Sequence, residues 1–290
     1  MSLFAPKYIK ELLEKHGTFP SKRLGQNFLV NKGVAEKVIK AADLKSDDVV
    51  LEIGPGVGNF TQEMAKTAGR VIAVEKDLKM IEILKETLKD SKNVEIIQGD
   101  VLKLESNLSG SPPAGVQKNY KIVANLPYYI TSPVIRKFLE AENPPETMVL
   151  IVQKEVAQRI CASPPDMNLL AVSVQFYAEP KIISYISKNS FWPSPKVDGA
   201  ILKISAFIQR KNSAFNQRFF RIVKAGFSHP RKQLANNLTK GLALSISKGI
   251  ELNKGKVISW LLKNKIKPNQ RAETLNIDDW IRLTKNIKFK

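Results

Sequence analysis

The chain has 290 residues, more than a typical single domain, and 43% of them are hydrophobic, which is enough for a substantial core. Its apolar runs are shorter than the ~20 residues that a membrane span needs. The single Cys161 excludes an intramolecular disulfide, and with only two histidines a Cys/His metal site is implausible. We therefore expect no membrane span and no metal, a reducing, cytoplasmic compartment, and one large and one small domain.

Positive charge is concentrated in the last third of the chain. The formal net charge is +19; residues 1–205 carry 27 basic and 23 acidic side chains, whereas residues 206–290 carry 19 and 4. A solvated lysine-rich surface is the simpler interpretation, but an asymmetry of this size is typical of a polyanion partner. A membrane surface is disfavoured, because no amphipathic helix pairs a bulky aromatic face with the charges. The distribution favours nucleic acid.

The N-terminal two thirds of the chain predict an α/β fold. A short amphipathic helix opens the chain, and from Asp47 to Glu155 short β-rich runs alternate with helical patterns, as in a parallel sheet with crossover helices. Continuous apolar strands indicate burial on both faces of a doubly wound sheet. A hairpin of Lys181 to Ser187 with Gly199 to Ser205 closes this domain. The five earlier predicted strands are Val49 to Ile53, Arg70 to Glu75, Val94 to Gln98, Tyr120 to Ala124 and Met148 to Gln153.

Helical spacing replaces the strand pattern after Ser205. Helices are predicted in FNQRFFRIVKAGF (215–227), RKQLANNLTKGLAL (231–244) and IDDWIRLTKNI (277–287), with Asn276 as the N-cap of the last. The Ser-, Gly- and Pro-rich stretch from Ser106 to Asn119 is predicted to be a surface loop. We therefore expect an α/β domain over residues 1–205 and a small, basic, all-helical domain over residues 206–290.

A glycine-rich turn follows the first strand of the predicted sheet. Gly54 and Gly56, in GPGVG, let the backbone turn sharply and approach a ligand. The next strand ends at Glu75, whose carboxylate can accept both hydroxyls of a ribose, and Asp100 follows the third strand, where it can accept from an adenine amino group. Each acid alone could be a capping or surface residue, but at one sheet edge they predict an adenosine pocket.

The identity of the adenosine cofactor depends on the spacing of the glycines. Both NAD and S-adenosylmethionine contain adenosine, so the two acids do not choose between them. A pyrophosphate-binding GxGxxG turn has glycine at its sixth position, where this chain has Asn59. The spacing therefore favours S-adenosylmethionine and a methyltransferase.

The fourth strand runs into the motif NLPYYI, which suits methylation of an exocyclic amine. The side-chain oxygen of Asn125 and the carbonyl of Leu126 can accept the two amine hydrogens, while Pro127 fixes the turn. Tyr128 can stack on a base that has been extruded from its helix. An ordinary Asn-x-Pro turn with a packed aromatic is the alternative, but the place of the motif at the sheet edge favours methylation of adenine N6 in a structured RNA.

A second aromatic lies in the loop SFWPSPKVDG. Phe191 is a candidate for the opposite wall of the base-binding site. The alternative is that Phe191 or Trp192 simply covers the core.

Several motifs together resemble the ribosomal RNA adenine N6,N6-dimethyltransferases, and in particular the small-subunit (16S) branch linked to kasugamycin sensitivity. The resemblance covers most of the chain, and few of the motifs are generic. They are LGQNFL (24–29), EIGPGVGNFT (52–61), Glu75, Asp100, NLPYYITSP (125–133), VQKEVAQRI (152–160), FWPSPKVDGAI (191–201) and GFSHPRKQLANNL (226–238).

The resemblance implies a Rossmann-like fold that uses S-adenosylmethionine to dimethylate two adjacent adenosines in the 3′-terminal hairpin of small-subunit rRNA, within an immature subunit. It adds Asn27, Leu29 and Asn125 to the cofactor contacts. By the same resemblance, Gln26 to Leu29 form a lid over the cofactor. We also expect a monomer. The stretch from Ser163 to Val174 departs from the pattern of the family, which leaves local RNA contacts there open.

The basic domain contains the expected RNA contacts, and three other functions are alternatives. The cations that we expect to bind phosphates are Arg218, Arg221, Lys224, Arg231 and Lys232. A non-catalytic assembly or RNA-binding factor is disfavoured by the intact NLPY motif and cofactor acids. A large-subunit rRNA adenine methyltransferase is disfavoured by GFSHPRKQLANNL and by NLPY in place of NIPY, and a DNA adenine methyltransferase only by the resemblance.

Overall fold

A computed structural model of the chain describes residues 2–103, 119–210, 212–243 and 253–287. The chain forms two compact units: Met1–Ala157 with Ala178–Phe207, and Gln158–Tyr177 with Ile208–Lys290. The predicted surface loop, apart from Asn119, lies outside the described residues. Among the helices that the described residues form, none has the length and apolar character that a membrane span requires.

A seven-stranded sheet forms the centre of the first unit. Its order is β4-β3-β2-β5-β6-β9-β7, with β2 to β6 parallel and β9 antiparallel to both of its neighbours. The predicted strands and the closing hairpin are confirmed, with boundaries that agree to within two residues. The strands are β2 (Val49–Ile53), β3 (Arg70–Glu75), β4 (Val94–Gln98), β5 (Tyr120–Asn125), β6 (Thr147–Gln153), β7 (Glu179–Ile186) and β9 (Gly199–Ser205).

A second, two-stranded sheet joins distant parts of the chain. Strand β1 (Phe28–Leu29) pairs antiparallel with β8 (Phe191–Trp192), so that Phe28 lies opposite Trp192 and Leu29 opposite Phe191. The rings of Phe28 and Trp192 stack with centroids 6.5 Å apart. The segment before the main sheet is thereby fixed to the loop that carries Phe191.

Helices flank the sheet with their apolar faces. Residues of α2 and α3 form one buried cluster with the strands, and residues of α1 and α4 form another. The burial of this apolar surface is the main source of stability for such a layer. The helices of this unit are α1 (Pro6–Lys15), α2 (Lys32–Ala42), α3 (Asn59–Ala65), α4 (Leu78–Thr87), α5 (Thr131–Leu139) and α6 (Lys154–Ile160), which continues into the second unit.

The second unit is helical. The three predicted helices are confirmed, and the capping box of Asn276 with Asp279 opens the last of them. The helix that begins after Asn253, its N-cap, was missed by the sequence interpretation. The helices are α7 (Leu169–Gln175), α8 (Ser213–Gly226), α9 (Leu234–Ala243), α10 (Lys254–Lys263) and α11 (Ile277–Lys285).

The division of the chain differs from the expected boundary after residue 205, because residues 158–177 belong to the second unit. Phe176 stacks on Phe219 of α8 at a centroid distance of 3.9 Å, and the guanidinium of Arg210 lies over the Phe176 ring. The amide of Met167 also donates to the carbonyl of Glu273. Sequence order alone assigned this segment to the α/β domain, whereas its aromatic packing places it with the helices.

Candidate cofactor and catalytic site

A cavity in the first unit opens at the carboxyl ends of the parallel strands. All the predicted cofactor and catalytic residues line it. It lies where the strand order reverses, between β2 and β5, which is where open α/β sheets bind their ligands. The roles of the individual residues stay predictions. These residues are Asn27, Leu29, Gly54, Gly56, Glu75, Asp100, Asn125, Leu126, Pro127, Tyr128 and Phe191.

The glycine turn forms the floor of the cavity. Gly54 and Gly56 have φ values of +68° and +59°, a region that residues with a side chain rarely adopt. A Cβ atom on Gly56 would also lie 3.1 Å from the ring of Phe28. The turn therefore needs glycine both for its backbone conformation and for the close approach of its neighbours.

Glu75 lies at the end of β3, almost fully buried. One carboxylate oxygen accepts from the amides of Lys76 and Asp77, and the other accepts from the amide of Gly56 at 3.2 Å. Burial raises the pKa of Glu75, although the three backbone hydrogen bonds oppose it. The carboxylate thus ties the glycine turn to the end of β3 and remains at the cavity wall, where a ribose would lie.

Asp100 follows β4 on the same wall and is held by two donors. Lys76 Nζ lies 2.9 Å from Oδ2, and the amide of Leu102 donates to Oδ1 at 3.0 Å. Burial alone would raise the pKa of Asp100, but these hydrogen bonds and the charge of Lys76 lower it. The lowered pKa favours an ionised acceptor at Asp100, and its recognition of an adenine amino group stays a prediction.

A further acid, Glu52, was not singled out from the sequence. It lies in β2 beneath the glycine turn, 2% exposed, and accepts a hydrogen bond of 2.6 Å from Thr61 Oγ1. Burial raises the pKa of Glu52 to about 8, despite the lowering effect of Thr61. The only signal in the sequence was a charged residue inside an otherwise apolar strand.

The raised pKa predicts how Glu52 affects stability. Since the folded protein keeps this proton to higher pH than the unfolded chain, the stabilising contribution is complete below the ordinary pKa of 4.5 and is lost as the pH rises towards about 8. The unfolding free energy of the wild type, minus that of Glu52→Gln, should fall by up to about 1.4 kcal/mol per pH unit within that window. Urea denaturation at several pH values measures this difference. Parallel curves would contradict the prediction, and Glu95→Gln, at an exposed position of β4, is the control.

Asn125, at the end of β5, has a fixed side-chain orientation. Its Nδ2 donates to the backbone carbonyl of Asn27 at 2.9 Å. Among the described residues no donor contacts the Oδ1 atom, so this oxygen can accept from an amine in the cavity. Pro127 follows with φ −54°, and its carbonyl accepts from the amide of Ile130, which closes the turn.

Two aromatic side chains, Tyr128 of the NLPY motif and Phe191, line the cavity together with Asn125. Tyr128 is half-buried, and burial, together with the charges of Glu155 and Asp198, raises its pKa. Phe191 is 4% exposed and belongs to the core cluster, yet it also lines the cavity. It therefore covers the core and faces the site, and stacking on the base stays a prediction.

The segment from Gln26 to Leu29 lines the cavity and is anchored at several points. Gln26 Nε2 donates to Asp77 Oδ2 at 2.9 Å, and the carbonyl of Leu29 accepts from Asn59 Nδ2 at 2.7 Å. With the contact between Asn27 and Asn125, these bonds tie the segment to three elements of the site. The elementary sequence patterns indicated only a linker here; the resemblance alone predicted a lid.

The predicted RNA contacts lie in the second unit, and all of them are exposed. Arg218, Arg221 and Lys224 follow one another at intervals of three on α8 and so share a face. Arg231 and Lys232 lie in the turn before α9. Asn237 Nδ2 holds that turn through the carbonyls of Gly226 and His229. RNA binding by these five residues stays a prediction.

The strand order reverses at the cavity, where a glycine turn without the sixth-position glycine lies beside two carboxylates. This combination defines the class of Rossmann-like, S-adenosylmethionine-dependent methyltransferases. A model of the family "Ribosomal RNA adenine dimethylase" matches residues 20–288. The chain belongs to this family.

Known proteins support this assignment. The chain is 44% identical over 275 residues, 93% of its length and 89% of the relative, to "Ribosomal RNA small subunit methyltransferase A" of Dehalococcoides mccartyi. It is similar to the crystal structure of a dimethyladenosine transferase from Plasmodium falciparum, with a TM-score of 0.72, 27% identity and coverage of 88% and 95% of the two chains. The 23S rRNA methyltransferase ErmE matches with a TM-score of 0.69, 25% identity and coverage of 89% and 98%.

Proposed function

We propose that this protein dimethylates the N6 amino groups of two adjacent adenosines in the 3′-terminal hairpin of 16S rRNA, within an immature small subunit. The observation that carries the proposal is the Asn125 amide, which Asn27 holds in the cavity beside the glycine turn and the two acids. The high identity to a small-subunit methyltransferase supports the choice of subunit over the weaker similarity to ErmE. We place the protein in the cytoplasm as a monomer.

The residues of the cavity fit S-adenosylmethionine. Gly54 leaves open space that a Cβ atom would occupy, Glu75 would accept from the ribose hydroxyls, and Asp100 would accept from the adenine amino group. Asn27 and Leu29 would cover the cofactor. When bound, the cofactor supplies an electrophilic methyl group on its sulfonium.

The NLPY motif prepares the target nitrogen. The lone pair of N6 is delocalised into the adenine ring, which makes the amine a weak nucleophile. Asn125 Oδ1 and the Leu126 carbonyl would accept the N6 hydrogens and turn the lone pair towards the methyl carbon. With the cofactor bound, N6 held in this way would receive the methyl group and would then release a proton to solvent. No strong general base is needed, and Tyr128 and Phe191 would hold the extruded base.

Arg231 and Lys232 should contribute to the affinity for RNA rather than to chemistry. Replacing both by alanine is expected to weaken binding and to reduce the slope of log K against log salt by about 1.4–1.8, because each lost phosphate contact removes about 0.7–0.9. Filter binding of small-subunit RNA at several salt concentrations measures this slope. An unchanged affinity and salt slope would mean that other residues bind the RNA phosphates. The double variant Lys89→Ala, Lys92→Ala removes the same charge and is the control.

A methylation assay tests the proposal as a whole. Small ribosomal subunits that lack the modification should gain up to two methyl groups on each of two adenosines, detected as N6,N6-dimethyladenosine by mass spectrometry. Tight binding without this product would favour a non-catalytic assembly factor. Methylation of large-subunit RNA instead would favour the other branch of the family.

A further inference from the structure

A tight turn of residues 21–25 projects two cations beside the catalytic motif. The amide of Gly25 donates to the carbonyl of Lys22, that of Gln26 donates to the carbonyl of Ser21, and the amide of Leu24 donates to Ser21 Oγ. Gly25 adopts φ +64°. This backbone places Lys22 and Arg23 at the tip, and both are exposed.

The turn packs directly on the predicted base-binding site. A Cβ atom on Gly25 would lie 3.2 Å from Pro127 Cβ and 3.7 Å from Tyr129 Cδ1, so the two backbones approach as closely as glycine allows. On its other side, Gln26 bonds to Asp77 at the end of the adenosine-binding wall. The position of the tip is therefore fixed relative to the mouth of the cavity.

The tip and its neighbour have the chemistry of a single-stranded RNA site. Within the described residues, neither Lys22 nor Arg23 forms an ion pair with a carboxylate. Tyr129 lines the cavity and is 58% exposed, so its ring is accessible to a base at the mouth of the cavity. Cations that follow a backbone beside an exposed aromatic ring are the means by which proteins bind unpaired nucleotides.

We propose that Lys22 and Arg23 bind the phosphates that flank the extruded adenosine, while the ring of Tyr129 stacks on a neighbouring base. This RNA contact belongs to the first unit and is separate from the cations of α8 and its following turn. The inference rests on the proposed function, because it assumes that RNA enters this cavity. In this arrangement the first unit would bind the nucleotides next to the target adenosine, while the basic second unit would bind the rest of the RNA.

Removing the two cations tests the phosphate contacts. For the Lys22→Ala, Arg23→Ala protein, the Kd for a fluorescently labelled RNA hairpin with two adjacent adenosines in its loop should rise about tenfold near 0.1 M salt. The salt slope should fall by about 1.4–1.8, and the Kd for S-adenosylhomocysteine should stay within about twofold. The double variant Lys89→Ala, Lys92→Ala removes the same charge where β4 begins, at the opposite end of the sheet, and should bind like the wild type.

Base stacking has its own readout. With 2-aminopurine placed in turn on each side of the adenosine pair, the wild type should quench the fluorescence at one position because the base stacks on Tyr129. Tyr129→Phe should keep this quenching, whereas Tyr129→Leu, which has no ring, should lose it and weaken RNA binding about tenfold. A purely structural role for Tyr129 would not make the quenching depend on a ring.

The outcomes separate this inference from the proposed function. If the wild type methylates small subunits but the tip variant keeps its RNA affinity and salt slope, the inference is overturned and the proposed function stands. Equal quenching by Tyr129→Leu and the wild type would overturn the stacking contact. If the wild type forms no dimethyladenosine, the proposed function fails, whatever the tip variant binds.

Discussion

Replacing Asn125 by alanine should lower kcat for methyl transfer about 10²–10³-fold, the scale on which one preorganised hydrogen-bond partner of a reacting group contributes. The Asn27 carbonyl fixes the amide, so its Oδ1 is aimed before the base arrives. Without that acceptor, the N6 lone pair stays conjugated with the ring. The affinity for S-adenosylhomocysteine should change less than tenfold, so the loss of activity should appear in kcat and not in cofactor binding. Single-turnover methylation of unmodified subunits, alongside calorimetric titration, measures both quantities.

A second variant separates the acceptor from the lid contact. Asn125→Asp keeps an acceptor oxygen but loses the N–H that reaches Asn27, so it should keep more activity than alanine while binding the cofactor less firmly. Asn189→Ala, at an exposed position, is the matched control and should behave like the wild type. If Asn125→Ala keeps kcat within threefold of the wild type, the orienting role is wrong.

Glu75→Ala should raise the Kd for S-adenosylmethionine about 100-fold. Two hydrogen bonds to an ionised acceptor contribute roughly 3 kcal/mol together, which corresponds to that ratio. The same change also removes the acceptor for the amides of Gly56, Lys76 and Asp77, so the glycine turn should loosen as well. Isothermal titration with the cofactor measures the affinity, and thermal unfolding reports the loss of stability.

Matched variants distinguish the two effects of Glu75. Glu75→Gln keeps one acceptor oxygen and should have an intermediate Kd, whereas Glu95→Ala removes an exposed carboxylate on the adjacent strand and should leave the Kd unchanged. An unaltered Kd in Glu75→Ala would contradict the assignment of this acid to the ribose.

The order of the elements and the edge of the sheet could be predicted because both depend on local patterns. Apolar runs predicted β2 to β6 within one residue at each end, and parallel strands necessarily bring Gly54, Glu75, Asp100 and Asn125 to one edge. The N-cap role of Asn276 was equally local. Local sequence patterns therefore predicted most of the residues of the candidate site.

Long-range contacts could not be predicted in this way. The pairing of Phe28 with Trp192 joins residues far apart in the chain, and two-residue strands leave no periodic signal. The packing of Phe176 on Phe219 moved residues 158–177 into the second unit, although their sequence order suggested the first. Glu52 acquires its raised pKa from burial by neighbours that no local pattern identifies.

The pairing of β1 with β8 joins the predicted cofactor contact Leu29 to Phe191, the predicted wall of the base site. Leu29 lies opposite Phe191 in that pair, so a displacement of this segment would also break the backbone pairing that holds Phe191. Each adenosine is to receive two methyl groups, and every transfer after the first needs a fresh cofactor. If Leu29 covers the cofactor and Phe191 holds the base, as proposed, cofactor exchange and base binding are coupled through this strand pair.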